Sequence, residues 1–408
     1  MTESPIPPSP AVSRVVNSLR GRDIVCFSND WSGDPLSKTH IMRLLARDNR
    51  VLWVNSIGYR TPSVTSKADL GRAWNKLRAW QQPIREVEKN IFVFNPMAIP
   101  VYGRPAVRAI NQRWLKFQVR RAMRKLGFRN VIDWVFNPAA AVVAGTLGED
   151  VLIYHCVDEF SAFSGVAADA ILELEEQLLR KSDLVIVSSD LLLQSKQKFN
   201  PNTVLVRHGV DHAHFRKALD PHTPVPAEVA HLPHPVVGFF GLIADWVDVE
   251  LMAQIAQRHP EGSLVVLGKA TTDVSMLERL PNVHLLGRKP YEALPGYSKA
   301  FDVAINPFRI NQLTLNSNPL KVREYLAAGL PVVSTDLPEV AVLGLCRLAT
   351  DGEQFLREVD AALATPGPQT EISQRIHHES WEARVKEIEG HLAAAGLLQP
   401  QAARRNAA

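Results

Sequence analysis

Short apolar runs of four to six residues recur along the chain and alternate with longer segments of helical period. Runs of this length, bounded by turn formers, are typical of buried strands. They lie at 23–28, 50–55, 131–136, 151–155, 184–188 and 203–207, and then at 236–240, 263–268, 282–287, 301–305 and 331–334. Strands that alternate with helices form parallel sheets. The pattern therefore predicts an α/β protein with two Rossmann-like parallel-sheet domains that face each other across a cleft.

Composition shifts predict where these domains begin and end. Residues 1–20 are rich in Pro and Ser near their start and are expected to form a disordered tail. The first domain is predicted at 21–216 and the second at 236–369, joined by a Pro- and His-rich linker at 217–235. Residues 395–408 are expected to be a second disordered tail.

The stretch from residue 301 to 340 concentrates polar side chains at one point of the second domain. Its strand at 301–305 leads into a polar loop, and Asn318-Pro319 then opens a helix over 320–328. Ser317, Asn318 and Lys321 lie at the amino end of this helix, where free N–H groups favour an anion such as a phosphate. Glu324, one turn further on, could accept hydrogen bonds from sugar hydroxyls. The alternative is an exposed helix face with an ordinary Lys321–Glu324 ion pair.

The run from Asn318 to Thr335, N-P-L-K-V-R-E-Y-L-A-A-G-L-P-V-V-S-T, resembles the donor-site signature of the family-4 glycosyltransferases (glycosyl transferases group 1). These enzymes have the two-domain GT-B fold. The resemblance implies that the second domain binds a nucleotide-diphosphate sugar as co-substrate, without a metal or another cofactor. By the same resemblance Glu324 holds the ribose, and Lys321 with the helix amino end holds the diphosphate. The remaining donor-side residues are Ser317, Asn306, Asn316 and Asn318 around the sugar, Gly241 in the first loop of the domain, and Arg288 beside the base.

The chain departs from the family at two places. Many members carry an arginine just after the glycine that corresponds to Gly241 and a lysine a few residues later, but Leu242 and Trp246 stand in this region. Lys269, Lys321 and Arg323 are candidates to replace them. Asn316 stands where the family has an acid, and an asparagine can bind a sugar hydroxyl but carries no charge.

The first domain resembles the acceptor side of the same family. The loop 29–35, which contains Trp31, resembles a loop that faces the cleft, although the usual glycine pair is missing. His40 is either an acceptor-site residue or a partly exposed helix histidine. Arg60 is either a contact to an anionic acceptor or a surface arginine. In the block 151–165, Asp158 is the candidate catalytic base and His155 the alternative, although the carboxylate could instead cap a turn. The segment 370–394 is expected to be one final helix that crosses back to the first domain.

Overall composition is that of a soluble globular protein, with 46% hydrophobic residues and a mean hydropathy of −0.07. Cys26, Cys156 and Cys346 are scattered, which favours buried free thiols in a reducing compartment. No signal peptide or long apolar stretch is apparent, so a cytoplasmic protein is expected.

Positive charge is concentrated in one segment. No Asp or Glu occurs between Asn90 and Ile132, and the helix predicted at 107–126 carries a basic stripe with Val107, Ile110, Trp114 and Phe117 on another side. This is either a core-packed helix with a solvated charged face or a helix at an anionic membrane surface, formed by segment 104–129. Nucleic acid is not expected as a partner, since no recognition motif accompanies the charge.

The leading hypothesis is a glycosyltransferase that transfers sugar to a glycan or lipid-linked acceptor in cell-surface polysaccharide or glycolipid biosynthesis, in the cytoplasm or peripherally on the inner membrane face. Two alternatives stay open. One is a GT-B sugar-nucleotide epimerase, and the other is a non-catalytic module that binds nucleotide sugar or a membrane surface.

Overall fold

We analysed a computed structural model of the chain, which describes residues 19–56, 84–99 and 105–398. The strands are β1 Asp23–Phe27, β2 Arg50–Val54, β3 Arg85–Glu88, β4 Ile91–Phe94, β5 Val131–Val135, β6 Val151–Cys156, β7 Leu184–Val187, β8 Thr203–Leu205, β9 Val236–Phe240, β10 Ser263–Leu267, β11 Val283–Gly287, β12 Val303–Asn306, β13 Val332–Thr335 and β14 Arg347–Ala349. The α-helices are α1 Ser37–Leu45, α2 Pro105–Leu126, α3 Ala168–Lys181, α4 Asp190–Lys196, α5 His212–Phe215, α6 Val249–Arg258, α7 Ser275–Glu278, α8 Leu294–Ser298, α9 Gln312–Asn316, α10 Leu320–Ala327, α11 Pro338–Ala341, α12 Gly352–Leu363, α13 Thr370–Ile376 and α14 Trp381–Ala394. None of the helices in these ranges is long and apolar enough to cross a membrane.

The first domain is built on an eight-stranded sheet in the order β3-β4-β2-β1-β5-β6-β7-β8. All neighbouring strands are parallel except β3, which runs antiparallel to β4 at the edge. The central strands β1, β5, β6 and β7 are buried along their whole length. Helices cover both faces of a parallel sheet, which explains why these strands are continuously apolar and do not alternate.

The second domain is built on a six-stranded parallel sheet in the order β11-β10-β9-β12-β13-β14. The strand order reverses between β9 and β12. In doubly wound sheets a ligand binds in the crevice outside the carboxyl ends of the strands at such a reversal. The loops after β9 and β12 are therefore expected to form a binding site.

The expectation of a single final helix over 370–394 is wrong. The segment forms α13 and α14, separated by residues 377–380. Ile376 of α13 belongs to the core of the second domain, whereas Trp381, Ile388 and Leu392 of α14 pack in the core of the first. The break lies where the chain passes from one domain to the other.

Two segments are better ordered than their composition suggests. In the expected linker 217–235, Val229 and Leu232 are buried in the core of the second domain, and Lys299 Nζ donates to the carbonyl oxygens of Asp220 and Thr223 at 2.8 and 2.9 Å. In the expected C-terminal tail, Leu397 and Leu398 pack against the core of the first domain. Apolar burial therefore holds both segments in place.

Three short strands have no counterpart among the predicted runs: β3 and its neighbour β4 at one side of the first sheet, and β14 at the edge of the second. Of the three cysteines, which are free, Cys26 and Cys156 are buried as expected, but Cys346 is only half-buried.

Candidate active site

A cleft of about 580 Å³ lies between the carboxyl edges of the two sheets. From the first domain it is lined by the loops after β1 and β6, and from the second by the loops after β9, β10, β11 and β12. Of the residues predicted to bind the donor, those that line the cleft are Glu324, Lys321, Asn318, Ser317, Gly241, Lys269 and Arg288.

Lys321 and Glu324 lie on the first turns of α10, which begins after Pro319 and faces the cleft. Lys321 Nζ lies over the rings of Phe239 and Phe308, 4.1 and 4.8 Å from their centroids. Burial lowers the pKa of Lys321 to about 7 and raises the pKa of Glu324 to about 8, and the attraction between the two side chains opposes both shifts. Within the described residues neither side chain forms an ion pair closer than 4 Å, so the ordinary helix-face pair is not observed.

Two glycines bring the backbone of the cleft floor close together. A Cβ on Gly268 would lie 1.8 Å from the carbonyl oxygen of Gly241, and a Cβ on Gly241 would lie 2.7 Å from Lys321 Nζ. Both residues have positive φ values, +132° for Gly241 and +152° for Gly268, which side-chain-bearing residues rarely adopt. Only glycine fits at either position.

Positive charge in the cleft comes from both domains. Lys38, in the first turn of α1, and Lys269, after β10, form no ion pair with the residues described. Arg288 also lines the cleft, but it makes a bidentate ion pair with Asp34 of the first domain at 2.6–3.2 Å. Its guanidinium therefore joins the two walls and does not stand free for a ligand.

The first domain presents two carboxylates to the cleft, Asp34, which is paired with Arg288, and Asp158, which lies two residues beyond the end of β6. Burial raises the pKa of Asp158 to about 6, and the nearby Lys38 ammonium limits the rise. Burial lowers the pKa of Lys38 in turn, and Asp158 opposes that shift. An acid with a pKa of about 6 is ionised at neutral pH and can accept a proton there.

His155 does not reach the cleft, contrary to the expectation that it could face the acceptor. It lies inside β6 with 1% of its surface exposed and stacks on Phe136, 4.8 Å between ring centroids. Its Nδ1 accepts a 3.4 Å hydrogen bond from Trp134 Nε1. Burial lowers its pKa to about 3, so it is a neutral core residue.

Of the residues predicted around the sugar, Asn306 and Asn316 do not line the cleft. Asn306 is fully buried at the end of β12, where Nδ2 donates to Ser334 Oγ at 3.0 Å. Asn316 Nδ2 donates to the carbonyl oxygen of Gln312 in the same helix at 2.7 Å. Ser317 and Asn318 line the cleft, but the amide of Asn318 is occupied by contacts to Ser188 O and to the side chains of Glu339 and Arg323.

The acceptor-side predictions are not brought together. Trp31 packs edge-on against Trp53 at 4.9 Å and lies outside the cleft lining. His40 is buried and stacks on Trp381 at 5.4 Å, where burial lowers its pKa to about 4. His40 therefore packs α1 against α14, and Trp31 packs against β2 with Arg43 of α1 over its ring, 5.5 Å from the centroid. Arg60 lies outside the described residues.

Sequence reasoning missed three residues of the cleft. Gly268 carries a weak signal, because it ends an apolar run in a turn. Lys38 carries one too, as a lysine at the start of the helix that follows the first cleft-facing loop. His208 lines the cleft with its Nδ1 2.8 Å from the carbonyl oxygen of Asn318, and only its place in the loop after β8 hints at this role. No group of three or more His, Cys, Asp or Glu side chains in the described ranges could hold a metal ion.

Solved structures share this architecture over nearly the whole chain. Sucrose-phosphate synthase from Thermosynechococcus elongatus superposes with a TM-score of 0.65 at 15% identity, over 91% of this chain and 98% of the other. The chain has the GT-B fold. HepE from Anabaena, solved in complex with UDP-glucose, superposes with a TM-score of 0.62 at 15% identity, over 91% of this chain and 99% of the other. An E. coli structure described as bound with UDP-2-fluoro glucose superposes with a TM-score of 0.64 at 12% identity, over 93% of this chain and 100% of the other.

A family match by sequence falls in the second domain. Residues 234–377 of this GT-B protein match the family described as glycosyl transferases group 1. The putative teichuronic acid biosynthesis glycosyltransferase TuaH of Bacillus subtilis is 27% identical over 224 residues, which are 51% of this chain and 56% of the relative. The chain thus matches little more than half the length of this curated relative.

Proposed function

We propose that this protein is a glycosyltransferase that moves a sugar from a nucleotide-diphosphate sugar to a glycan or lipid-linked acceptor. The observation that carries the proposal is the position of Lys321 and Glu324, on successive turns of α10 inside an interdomain cleft that Asp158 also lines. A basic group, a hydrogen-bonding carboxyl and a separate proton acceptor are what transfer from such a donor requires. The described role of TuaH supports a product in cell-surface polysaccharide assembly.

On this proposal α10 binds the nucleotide end of the donor. Glu324 holds the ribose hydroxyls, and Lys321 with the free N–H groups at the amino end of the helix binds the diphosphate. Lys269, in the loop after β10, supplies positive charge in place of the arginine and lysine that the family-4 enzymes carry after the first glycine, and Lys38 adds charge from the other wall. These groups would neutralise the phosphates without a metal ion.

The first domain then supplies the acceptor side. Asp158 takes the proton from the attacking hydroxyl, and its pKa of about 6 keeps it ionised at neutral pH. Lys38 stabilises that ionised form. The acceptor enters between the loops after β1 and β6, and a lipid-linked acceptor would bring the protein to the inner face of the membrane.

Thermal unfolding of the purified protein with a panel of nucleotides and sugar nucleotides tests the proposal. A ligand that binds only the folded state stabilises it, by about 2.7 kcal/mol at a hundred times its Kd. We expect one sugar nucleotide to raise the melting temperature selectively, and Glu324→Ala and Glu324→Gln to lose that shift. Glu250→Ala, an exposed glutamate on α6 of the same domain, should keep it.

Two results would overturn the proposal. Absence of any shift and of any transfer would favour a non-catalytic module, and turnover of the donor without an acceptor would favour an epimerase. Full transfer by Glu324→Ala would show that the donor site is wrongly assigned, although the protein would still be a glycosyltransferase.

A further inference from the structure

The apolar side of α2 faces solvent. Ile110, Trp114 and Phe117 are 56%, 40% and 52% exposed, and the last two rings stack with centroids 5.9 Å apart. The core is instead contacted by the opposite face of the helix, through Leu115, Val119, Ala122 and Met123. Large apolar side chains that lie together on a surface mark an interaction site more often than single ones do.

The exposed face of α2 becomes basic toward its C-terminus. Arg121 and Arg124 follow Phe117 at helical spacing, and Arg113, Arg120 and Lys125 flank them, all exposed. The helix contains no acidic residue. Of its basic side chains, Arg108 is engaged by Glu173 and Arg120 donates to the carbonyl oxygen of Leu147. The remaining cations have no acidic partner in the described ranges.

Two buried amides fix α2 to the segment that follows β4. Asn111 Oδ1 accepts from the Ile99 N–H and its Nδ2 donates to the Ile99 carbonyl, each at 2.8 Å. Gln118 makes the same pair of bonds with Met97, at 3.0 and 2.8 Å. Because β4 is parallel to the central strands, this segment lies at the carboxyl edge of the sheet. The aromatic half of α2 therefore lies on the cleft side of the domain, and Ile99, itself 45% exposed, extends the apolar surface.

We propose that this face of α2, which we call the α2 stripe (Ile110, Trp114, Phe117, Arg121 and Arg124), docks on an anionic lipid bilayer. The three apolar side chains enter the boundary between headgroups and acyl chains, and the arginines bind lipid phosphates. Charge complementarity selects this occupant. A second copy of the chain would bring two acid-free basic faces together, and like charges repel.

Docking in this orientation holds the edge of the cleft close to the membrane. A lipid-linked acceptor would then reach Asp158 without leaving the bilayer. This consequence rests on the proposed transferase function, but the docking itself does not, so the two can fail separately.

Co-sedimentation of the full chain with vesicles tests the docking. We expect binding to vesicles of equal parts phosphatidylglycerol and phosphatidylcholine and little binding to phosphatidylcholine alone. Trp114→Ala with Phe117→Ala, and separately Arg121→Glu with Arg124→Glu, should each weaken binding about tenfold or more. Met276→Ala, a 46% exposed methionine on α7 of the second domain, should bind like the unmodified protein.

All variants change exposed side chains, so their melting temperatures and their shift with sugar nucleotide should stay unchanged. Equal binding to neutral vesicles, no binding to either kind, or binding that the α2 variants leave intact would each overturn the proposal. So would a concentration-dependent dimer in sedimentation velocity that Trp114→Ala with Phe117→Ala dissolves, because the stripe would then be covered by a second copy.

Discussion

Asn318 donates a 2.8 Å hydrogen bond from Nδ2 to the carbonyl oxygen of Ser188, across the boundary between the two domains. Ser188 follows β7 of the first domain, and Asn318 lies just before α10 of the second. The same amide donates to Glu339 Oε2 at 3.2 Å, and its oxygen accepts from Arg323, which is fully buried. This side chain is thus one of the contacts that hold α10, which carries Lys321 and Glu324, against the wall that carries Asp158.

Asn318→Ala should therefore destabilise the protein more than loss of one hydrogen bond would suggest. The buried Ser188 carbonyl and the Arg323 guanidinium would both lose a partner, and each unsatisfied buried group costs about 1–3 kcal/mol. We expect the free energy of unfolding, measured by urea denaturation, to fall by more than about 1 kcal/mol, and by about 3 kcal/mol or more if neither group finds a new partner.

Asn316→Ala is the matched control, because among the residues described its amide bonds only within α9. Its free energy of unfolding should change by less than about 1 kcal/mol. Equal stabilities of the two variants would contradict the role given to Asn318. A loss of transfer in Asn316→Ala without loss of stability would show that the residue approaches the sugar when the donor is bound.

The parts of the site that sequence reasoning found are those fixed by local pattern. Strand β12, a polar loop and α10 follow each other within one stretch, so the faces of Lys321 and Glu324 can be deduced from helix geometry alone. Asp158 was found because it follows a buried strand in a parallel sheet. Glycine and proline, which have strong backbone preferences, marked the ends of these elements.

The parts that it missed depend on contacts between distant segments. A helical period shows that α2 has two sides, but the side that faces the core also carries Asn111 and Gln118, whose amides bind a separate loop that the period does not reveal. His155 and Asp158 are three residues apart at a strand end, and packing against Phe136 places the histidine in the core. Asn306 likewise lies beneath the loop that it introduces, where Ser334 of the neighbouring strand binds it.

Binding of a nucleoside diphosphate should depend on pH through Lys321. Burial holds the pKa of Lys321 at about 7 in the empty cleft, and a bound diphosphate favours the charged ammonium and raises that pKa. Binding then takes up a proton above pH 7, so the affinity should fall as pH rises, by at most about tenfold per pH unit. Calorimetry between pH 6 and 9, in two buffers of different ionisation enthalpy, measures both the affinity and the proton uptake.

Glu324 ionises in the same range, since its pKa is about 8, and its negative charge would also weaken binding at high pH. Lys321→Arg keeps its charge throughout and should flatten the profile. A profile that is unchanged in Lys321→Arg would show that the diphosphate does not contact this residue.

Lys196 is held between two buried carboxylates beneath the first sheet. Its Nζ lies 2.9 Å from Glu159 Oε2 and 2.8 Å from Glu175 Oε2, and Tyr154 donates to Glu175 at 2.6 Å. Burial alone would lower the pKa of Lys196, but the surrounding negative groups outweigh it and raise the pKa above its ordinary value. The ammonium therefore stabilises the fold throughout the range below its ordinary pKa, and that contribution is lost only as pH rises through the folded-state pKa.

Lys196→Met should accordingly cost about 3–5 kcal/mol in the free energy of unfolding at pH 7, because two buried carboxylates are left without their counter-charge. Lys198→Met, which changes an exposed lysine over the ring of Phe199, should cost less than about 1 kcal/mol at the same pH. Urea denaturation of the two variants beside the unmodified protein separates these cases. Equal losses in both variants would contradict the role given to the buried charge of Lys196.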